Sequence, residues 1–271
     1  MKHHRVKPGH RVDLDDRDAG DTGDYKSESE ATGRAGELRQ KLGALQERLY
    51  AEGTRAVLVV LQGIDTAGKD GAIRQVMSGI NPQGCIVTSF KTPTPREEAH
   101  DFLWRAHAAC PPRGYIGIFN RSHYEEVLIT RVHDLITDEV AERRLQAIRD
   151  FEVALTNDGT RILKFFLHIS KEEQKARLLA RVDDANKHWK ISPADLGERR
   201  YWDAYQKAFE EALSATSTEE APWFIVPANH KWYRNLVVAQ HIAHALEDMD
   251  PRPSKRNDID LTKLRQDILE S

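Results

Sequence analysis

The chain has 271 residues, 39% apolar and 31% charged, and its 40 basic and 43 acidic side chains leave a formal charge of −3. That length suits one large α/β domain with appendages, and the balanced charge argues against nucleic-acid or membrane attraction by the molecule as a whole while leaving room for a local basic channel. The longest apolar run, residues 56–61, is too short to span a bilayer. The first thirty residues hold no apolar leader, and Cys85 and Cys110 alone make neither a disulfide framework nor a zinc site, so the chain reads as a reduced, cytoplasmic protein.

Residues 1–35 contain almost no large apolar side chains, and between Asp13 and Glu30 eight acidic residues face two basic ones. Such a stretch offers little surface to offset its ordering entropy, and it reads as a mobile acidic tail. Leu38, Leu42, Leu45 and Leu49 then recur at helical spacing, closed by Gly53. Five short apolar segments follow, at 57–62, 85–90, 115–120, 162–169 and 223–227, most of them near-continuous runs of the kind found in strands covered on both faces. Between them lie helix starts: Thr94-Pro95-Arg96-Glu97, Ser170-Lys171-Glu172-Glu173, and Ser192-Pro193 opening a helix to about residue 213. The alternation predicts a three-layer α/β/α sandwich around a mainly parallel five-stranded sheet. Residues 251–271 form a charged tail or one docked helix carried by Ile259, Leu261, Leu264 and Ile268.

Directly after the first strand stands Gly63-Ile64-Asp65-Thr66-Ala67-Gly68-Lys69-Asp70-Gly71, a G-x-x-x-x-G-K loop with Asp where Ser or Thr is usual. Its glycines let amide groups turn inward around an anion, Lys69 adds a point charge, and the helix that follows aims its positive end at the same place. No G-x-G-x-x-G occurs at this junction, which argues against a dinucleotide site. With the hydroxyl gone, the carboxylates Asp65 and Asp70 sit inside the loop. Asp65 is expected to orient a metal–phosphate unit, while Asp70 serves either that role or the helix dipole.

A second cluster, Phe119-Asn120-Arg121-Ser122-His123-Tyr124-Glu125-Glu126, lies at the end of the third strand, where ligands bind in open α/β sheets. Asn120 suits a neutral ligand or orienter and Arg121 a planar phosphate fork. Glu125 either closes a helix start or meets substrate. His123 reads as a packing or hydrogen-bonding group rather than a base, since transfer between phosphates needs no deprotonated alcohol. Farther on, Arg177 and Arg181 share a helix face, and Lys187 and Lys190 follow across a break, which predicts a lid over 171–207. Trp189, Tyr201, Trp202 and Tyr205 read as core residues.

The run from Val57 through Arg131 resembles the family-2 polyphosphate kinases, in Gln62-Gly63-Ile64-Asp65-Thr66-Ala67-Gly68-Lys69-Asp70-Gly71, Asn81-Pro82-Gln83-Gly84, Phe90-Lys91-Thr92-Pro93-Thr94 and Phe119-Asn120-Arg121-Ser122-His123-Tyr124-Glu125. Lys190-Ile191-Ser192 and Glu198-Arg199 to Tyr205 are similar to the family's lid and following helix, and the likeness, over roughly residues 36–250, implies a P-loop kinase-like domain. The resemblance implies a phosphotransferase using inorganic polyphosphate and Mg²⁺, or Mn²⁺, on purine nucleotides (AMP, ADP and ATP, then GDP and GTP), in a homodimer or homotetramer with no nucleic-acid or membrane partner. It implies that Asp65 and Lys69 are the loop's essential pair, with Asn120 and Arg121 from the second motif and Arg177 from the lid. Asn120 and Glu125 stand where members preferring diphosphates carry Asp and Asn, a pattern similar to the subgroup acting on both AMP and ADP.

The expected site therefore has Gly63, Thr66, Ala67, Gly68 and Gly71 cradling phosphates and Lys69 neutralising the transferring group. Asp65 and Asp70 hold the metal, and Arg121 and Arg177 act as clamps. Asn120, His123 and Glu125 contact nucleotide or phosphate, and Arg74, Arg131, Arg181, Lys187 and Lys190 line a polyphosphate channel. A nucleoside monophosphate kinase fed by ATP and a nucleotide-binding switch without turnover are the rival readings of the same residues.

Overall fold

In the computed structural model, which describes residues 4–253 and 259–271, every expected strand forms within two residues of its expected bounds. They are β1 (Ala56–Gln62), β2 (Cys85–Ser89), β3 (Ile116–Asn120), β4 (Thr160–His168) and β5 (Trp223–Pro227), all parallel, in the order β2-β3-β1-β4-β5. β1 lies at the centre, and all seven of its residues are buried. Successive side chains of a strand face opposite ways, so Val57, Val59 and Leu61 enter one core and Leu58 and Val60 the other.

The first core is closed by α1 (Glu28–Glu52), α2 (Lys69–Val76) and α10 (Lys231–Met249). Leu38, Leu42, Leu45 and Leu49 form the apolar stripe of α1, and Gly53 ends the helix in a left-handed turn, its N–H bonded to the Leu49 carbonyl. The second core is closed by α6 (Asp138–Asn157) and α9 (Trp202–Thr216). Each fully buried Val or Leu on these faces contributes about 1.5–3 kcal/mol. Short helices α3 (Pro95–Glu98), α4 (Trp104–Ala109) and α5 (Ile129–Val132) fill the connections; Thr94 caps α3 through the expected capping box. α7 (Lys171–Val182), capped by Ser170, and α8 (Pro193–Arg199) are the two arms of the segment expected to be a lid, with α11 (Leu261–Glu270) last. Among the described residues no helix is long and apolar enough to cross a membrane.

Four expectations need correction. The acidic segment expected to be mobile is a strap across the β5 side of the sheet. Val6, Val12, Leu14 and Ala19 are buried, Arg5 bridges Phe224 in antiparallel fashion, and the Val6 amide donates to the Trp223 carbonyl at 2.9 Å. The acidic residues serve as turn formers: Asp13, Asp18 and Asp21 each accept from the amide two residues on, at 3.0, 2.7 and 2.8 Å. The helix expected over 192–213 breaks at Arg200 and Tyr201 into α8 and α9, soon after Gly197, a residue that weakens a helix interior. β2 is an edge strand whose Ile86 and Val87 are exposed, not a strand covered on both faces. The C-terminal helix forms, yet none of its residues is buried, so it is not docked. Residues 1–3 and 254–258 of the two expected tails lie outside the described residues.

Candidate functional site

β1 delivers the chain to its C-terminal edge, with β3 on one side and β4 on the other, and there the phosphate loop turns into α2. Gly68 caps α2 at φ 97°, and a Cβ here would run into the Arg234 guanidinium, so only glycine serves both backbone and packing. Thr66 is also left-handed, at φ 67°. Lys69 is buried, its Nζ donating to the Gly63 carbonyl at 2.7 Å. Burial, then the neighbouring Arg121 charge, pushes its pKa down to about 8, against the pull of Asp65, Glu125 and Asp70.

Two guanidinium groups support the loop from behind. Arg177 donates from Nη1 to the Thr66 and Ala67 carbonyls at 2.9 and 3.1 Å and from Nη2 to the Ala228 and Asn229 carbonyls at 2.5 and 2.9 Å. Its Nε bonds Glu173 at 2.7 Å. All five of its N–H groups are thus taken by protein oxygens, and the residue expected as a phosphate clamp is a strut that ties the loop to the β5–α10 turn. Arg234, 2% exposed, bonds the Ala67 carbonyl at 3.3 Å and the Asn235 side chain, and among the described residues it meets no carboxylate. Burial and then Arg177 lower its pKa to about 10.

The carboxylates face the opposite way. Asn120 donates to Asp70 at 2.7 Å, Lys190 of the lid lies 3.6 Å from Asp70, and Arg121 lies 3.4 Å from Asp65. Burial alone would raise the Asp65 pKa, but Lys69, a hydrogen bond with Asp195, and then Arg121 and Arg181 hold it below the usual carboxylate value. Asp70 is likewise lowered: Asn120, Lys190 and Lys69 together outweigh its burial.

These groups open on a cavity of about 750 Å³ between loop and lid. Thr66, Gly68, Gly71, Arg74, Asn120, Arg121, Arg181, Lys187 and Lys190 line it together with Asp65, Lys69, Asp70 and Arg177. Gly63 and Ala67 stand behind the wall and contribute carbonyls to Lys69 and to the two arginines. Arg181 also donates to the Lys190 carbonyl at 3.0 Å, joining the two lid arms.

Three expected contacts are absent from this cavity. His123 is fully buried in the second core, packed on Phe119, Tyr124 and Phe151, because a residue two places beyond Arg121 in this tight turn faces the sheet. Arg131 is held by Asp138 and Glu211 on the outer side of α5 and does not reach the cavity. Glu125 sits 3.6 Å from Arg121 and steadies it without lining the wall. Nor are the aromatics uniformly core: Trp202 is buried, whereas Trp189 is 79% exposed, under the Lys190 ammonium.

Residues 25–254 match the family described as Polyphosphate kinase 2 (PPK2). The chain belongs to the polyphosphate kinase 2 family. It is 49% identical over 250 residues to the AMP/ADP-polyphosphate phosphotransferase of Meiothermus ruber, covering 92% of this chain and 94% of that one. It is 49% identical over 247 residues to the ADP-polyphosphate phosphotransferase of Rhodopseudomonas palustris, covering 85% of each. The crystal structure of Polyphosphate Kinase 2 from Arthrobacter aurescens TC1 superimposes with a TM-score of 0.95 at 43% identity, covering 100% of this chain and 96% of that one.

In this polyphosphate kinase 2 chain, sequence reasoning passed over three cations of the cavity, Lys91, Lys231 and Arg234. Lys231 and Arg234 had a readable signal. They stand three apart at the start of the helix after β5, at the same sheet edge as the phosphate loop. Asp195, at the start of α8 and near enough to Asp65 to influence its charge, had none, since it also closes the α8 capping box with Ser192.

Proposed function

We propose that this chain transfers the terminal phosphoryl group of inorganic polyphosphate to AMP and ADP, reversibly and with Mg²⁺. The observation that carries this reading is the charge of the cavity wall: ten Lys or Arg side chains and two carboxylates, in a chain whose net charge is −3. A nucleotide alone does not call for so many cations. A long polyanion beside a nucleotide does, and the relatives from Meiothermus ruber and Rhodopseudomonas palustris bear names that pair polyphosphate with AMP or ADP.

In the proposed reaction, Lys69 leaves the Gly63 carbonyl for the transferring phosphoryl group and neutralises charge on it. Arg121 holds a second phosphate through its fork, and the Thr66–Gly68 turn, braced by Arg177 and Arg234, fixes where the reacting phosphorus sits. The accepting oxygen is already anionic, so no base is required and an in-line transfer without a covalent intermediate suffices. Asp65 and Asp70 offer the hard oxygen donors that Mg²⁺ takes, and Mg²⁺ is commonly bound by one or two carboxylates with phosphate oxygens and water completing its shell. Among the described residues no set of three His, Cys, Asp or Glu side chains could hold a metal unaided, and the proposed cation would take its remaining ligands from phosphate and water. When bound, it supplies charge neutralisation between donor and acceptor phosphates.

The test is to incubate the full chain with polyphosphate, Mg²⁺ and either ADP or AMP, with no ATP present. ATP from ADP and ADP from AMP are expected. Product that appears from AMP only once ATP is supplied would instead establish an ATP-fed monophosphate kinase.

A further inference from the structure

Behind the turn that presents Asn120 and Arg121 lies a polar cluster that the proposed reaction never touches. The Tyr124 hydroxyl donates to Glu152 Oε1 at 2.8 Å, lies 2.8 Å from Thr216 Oγ1 and accepts from Lys164 Nζ at 3.0 Å. Lys164 also donates to Glu152 Oε2 at 2.5 Å and to the Thr216 carbonyl at 2.8 Å, while Trp223 Nε1 donates to Thr216 Oγ1 at 2.8 Å. None of these residues is more than 2% exposed. They come from α6, β4, α9 and β5, and Tyr124 alone among them belongs to the turn.

A buried ion pair is seldom more stabilising than apolar side chains of the same volume, so stability by itself is a poor account of this cluster. The turn supplies a better one. Arg121 sits at φ 59°, a left-handed conformation that costs a residue other than glycine energy and persists only where surroundings over-determine it. Its guanidinium is held loosely, 3.4 Å from Asp65 and 3.6 Å from Glu125, and is 40% exposed. Its backbone is held firmly: the Arg121 amide donates to the Leu61 carbonyl at 3.0 Å. Ser122 Oγ accepts from Gln62 Nε2 and from the Tyr124 amide, each at 3.1 Å. The far end of that chain of contacts is the Tyr124 hydroxyl in the Glu152–Lys164 grip.

We infer that Tyr124 is a positioning residue for Arg121: the buried Glu152–Lys164 pair fixes its hydroxyl, and the strained turn thereby aims the guanidinium into the cavity. The inference rests on the reading of Arg121 as a phosphate contact. A displacement of the order of an ångström at such a contact costs up to about a hundredfold in rate.

The experiment is a double-mutant cycle in the full chain, reading kcat, the KM for ADP and the dissociation constant for a polyphosphate of defined length. Tyr124→Phe keeps the ring volume, and its thermal unfolding checks that the fold survives. Thr216→Val, which removes one partner of the same hydroxyl from another element, is the second variant. Tyr124→Phe is expected to lower kcat by about tenfold and weaken polyphosphate binding in the Arg121 background, with KM for ADP unchanged, and to change neither kcat nor binding by more than about twofold in the Arg121→Ala background. Equal losses in both backgrounds, or normal kcat and binding in Tyr124→Phe, would overturn the positioning role alone. Full activity and binding in Arg121→Ala by itself would overturn the phosphate reading of Arg121 and this inference with it.

Discussion

The cations around the phosphate cavity fall into a frame and a lid, and the two are built on opposite physical terms. Lys69, Arg177 and Arg234 form the frame; all are at most 9% exposed, and each donates to a carbonyl of the loop. Arg181, Lys187 and Lys190 form the lid side, where Lys187 and Lys190 are 54% and 35% exposed and answer to Asp184 and Asp70. Buried donors bonded to backbone hold their geometry whatever the ionic strength, whereas exposed lysines are screened within about 10 Å at 0.1 M salt. On the proposed reading, the frame sets where a phosphorus atom sits and the lid sets how long a polyanion stays.

Three variants test that division. Lys69→Ala should lower turnover by about a thousandfold or more with little change in thermal unfolding, measured by steady-state kinetics and calorimetry, because the charge proposed to neutralise the transferring group is lost. Near-normal turnover would break the comparison at its root. Arg234→Met should lower kcat/KM by about a hundredfold, and added salt should leave the ratio to the parent enzyme unchanged. A deficit that shrinks as salt rises would move Arg234 from frame to lid. The paired change Lys187→Ala with Lys190→Ala should be mildest, raising the KM for polyphosphate about tenfold at low salt with kcat nearly intact, and less at high salt.

The sheet was legible because β-branched runs such as Val57 to Leu61 encode a strand covered on both faces, and the phosphate loop because its glycines and Lys69 follow such a strand directly. What escaped notice was of two kinds. Direction was one: nothing in the order of Arg121, Ser122 and His123 says which side chain faces the cavity and which the core, since that follows from the left-handed Arg121. The other was distance along the chain. Arg177 looks like a lid cation until Ala228 and Asn229, some fifty residues later, are brought to its guanidinium. The strap was misread for a related reason: few apolar residues normally mean no core, but Val6, Val12, Leu14 and Ala19 need only fill places that β5 and the helices beside it leave ready.

That strap sets an order of events during synthesis. Arg5 pairs with Phe224 and reaches Glu219 across 214 positions of sequence, so the strap has no docking place until β5, far downstream, has emerged. Contacts this remote carry the largest closure cost and form late. The strap is therefore among the last parts to settle, and until it does the outer edge of β5 stands open to any passing strand.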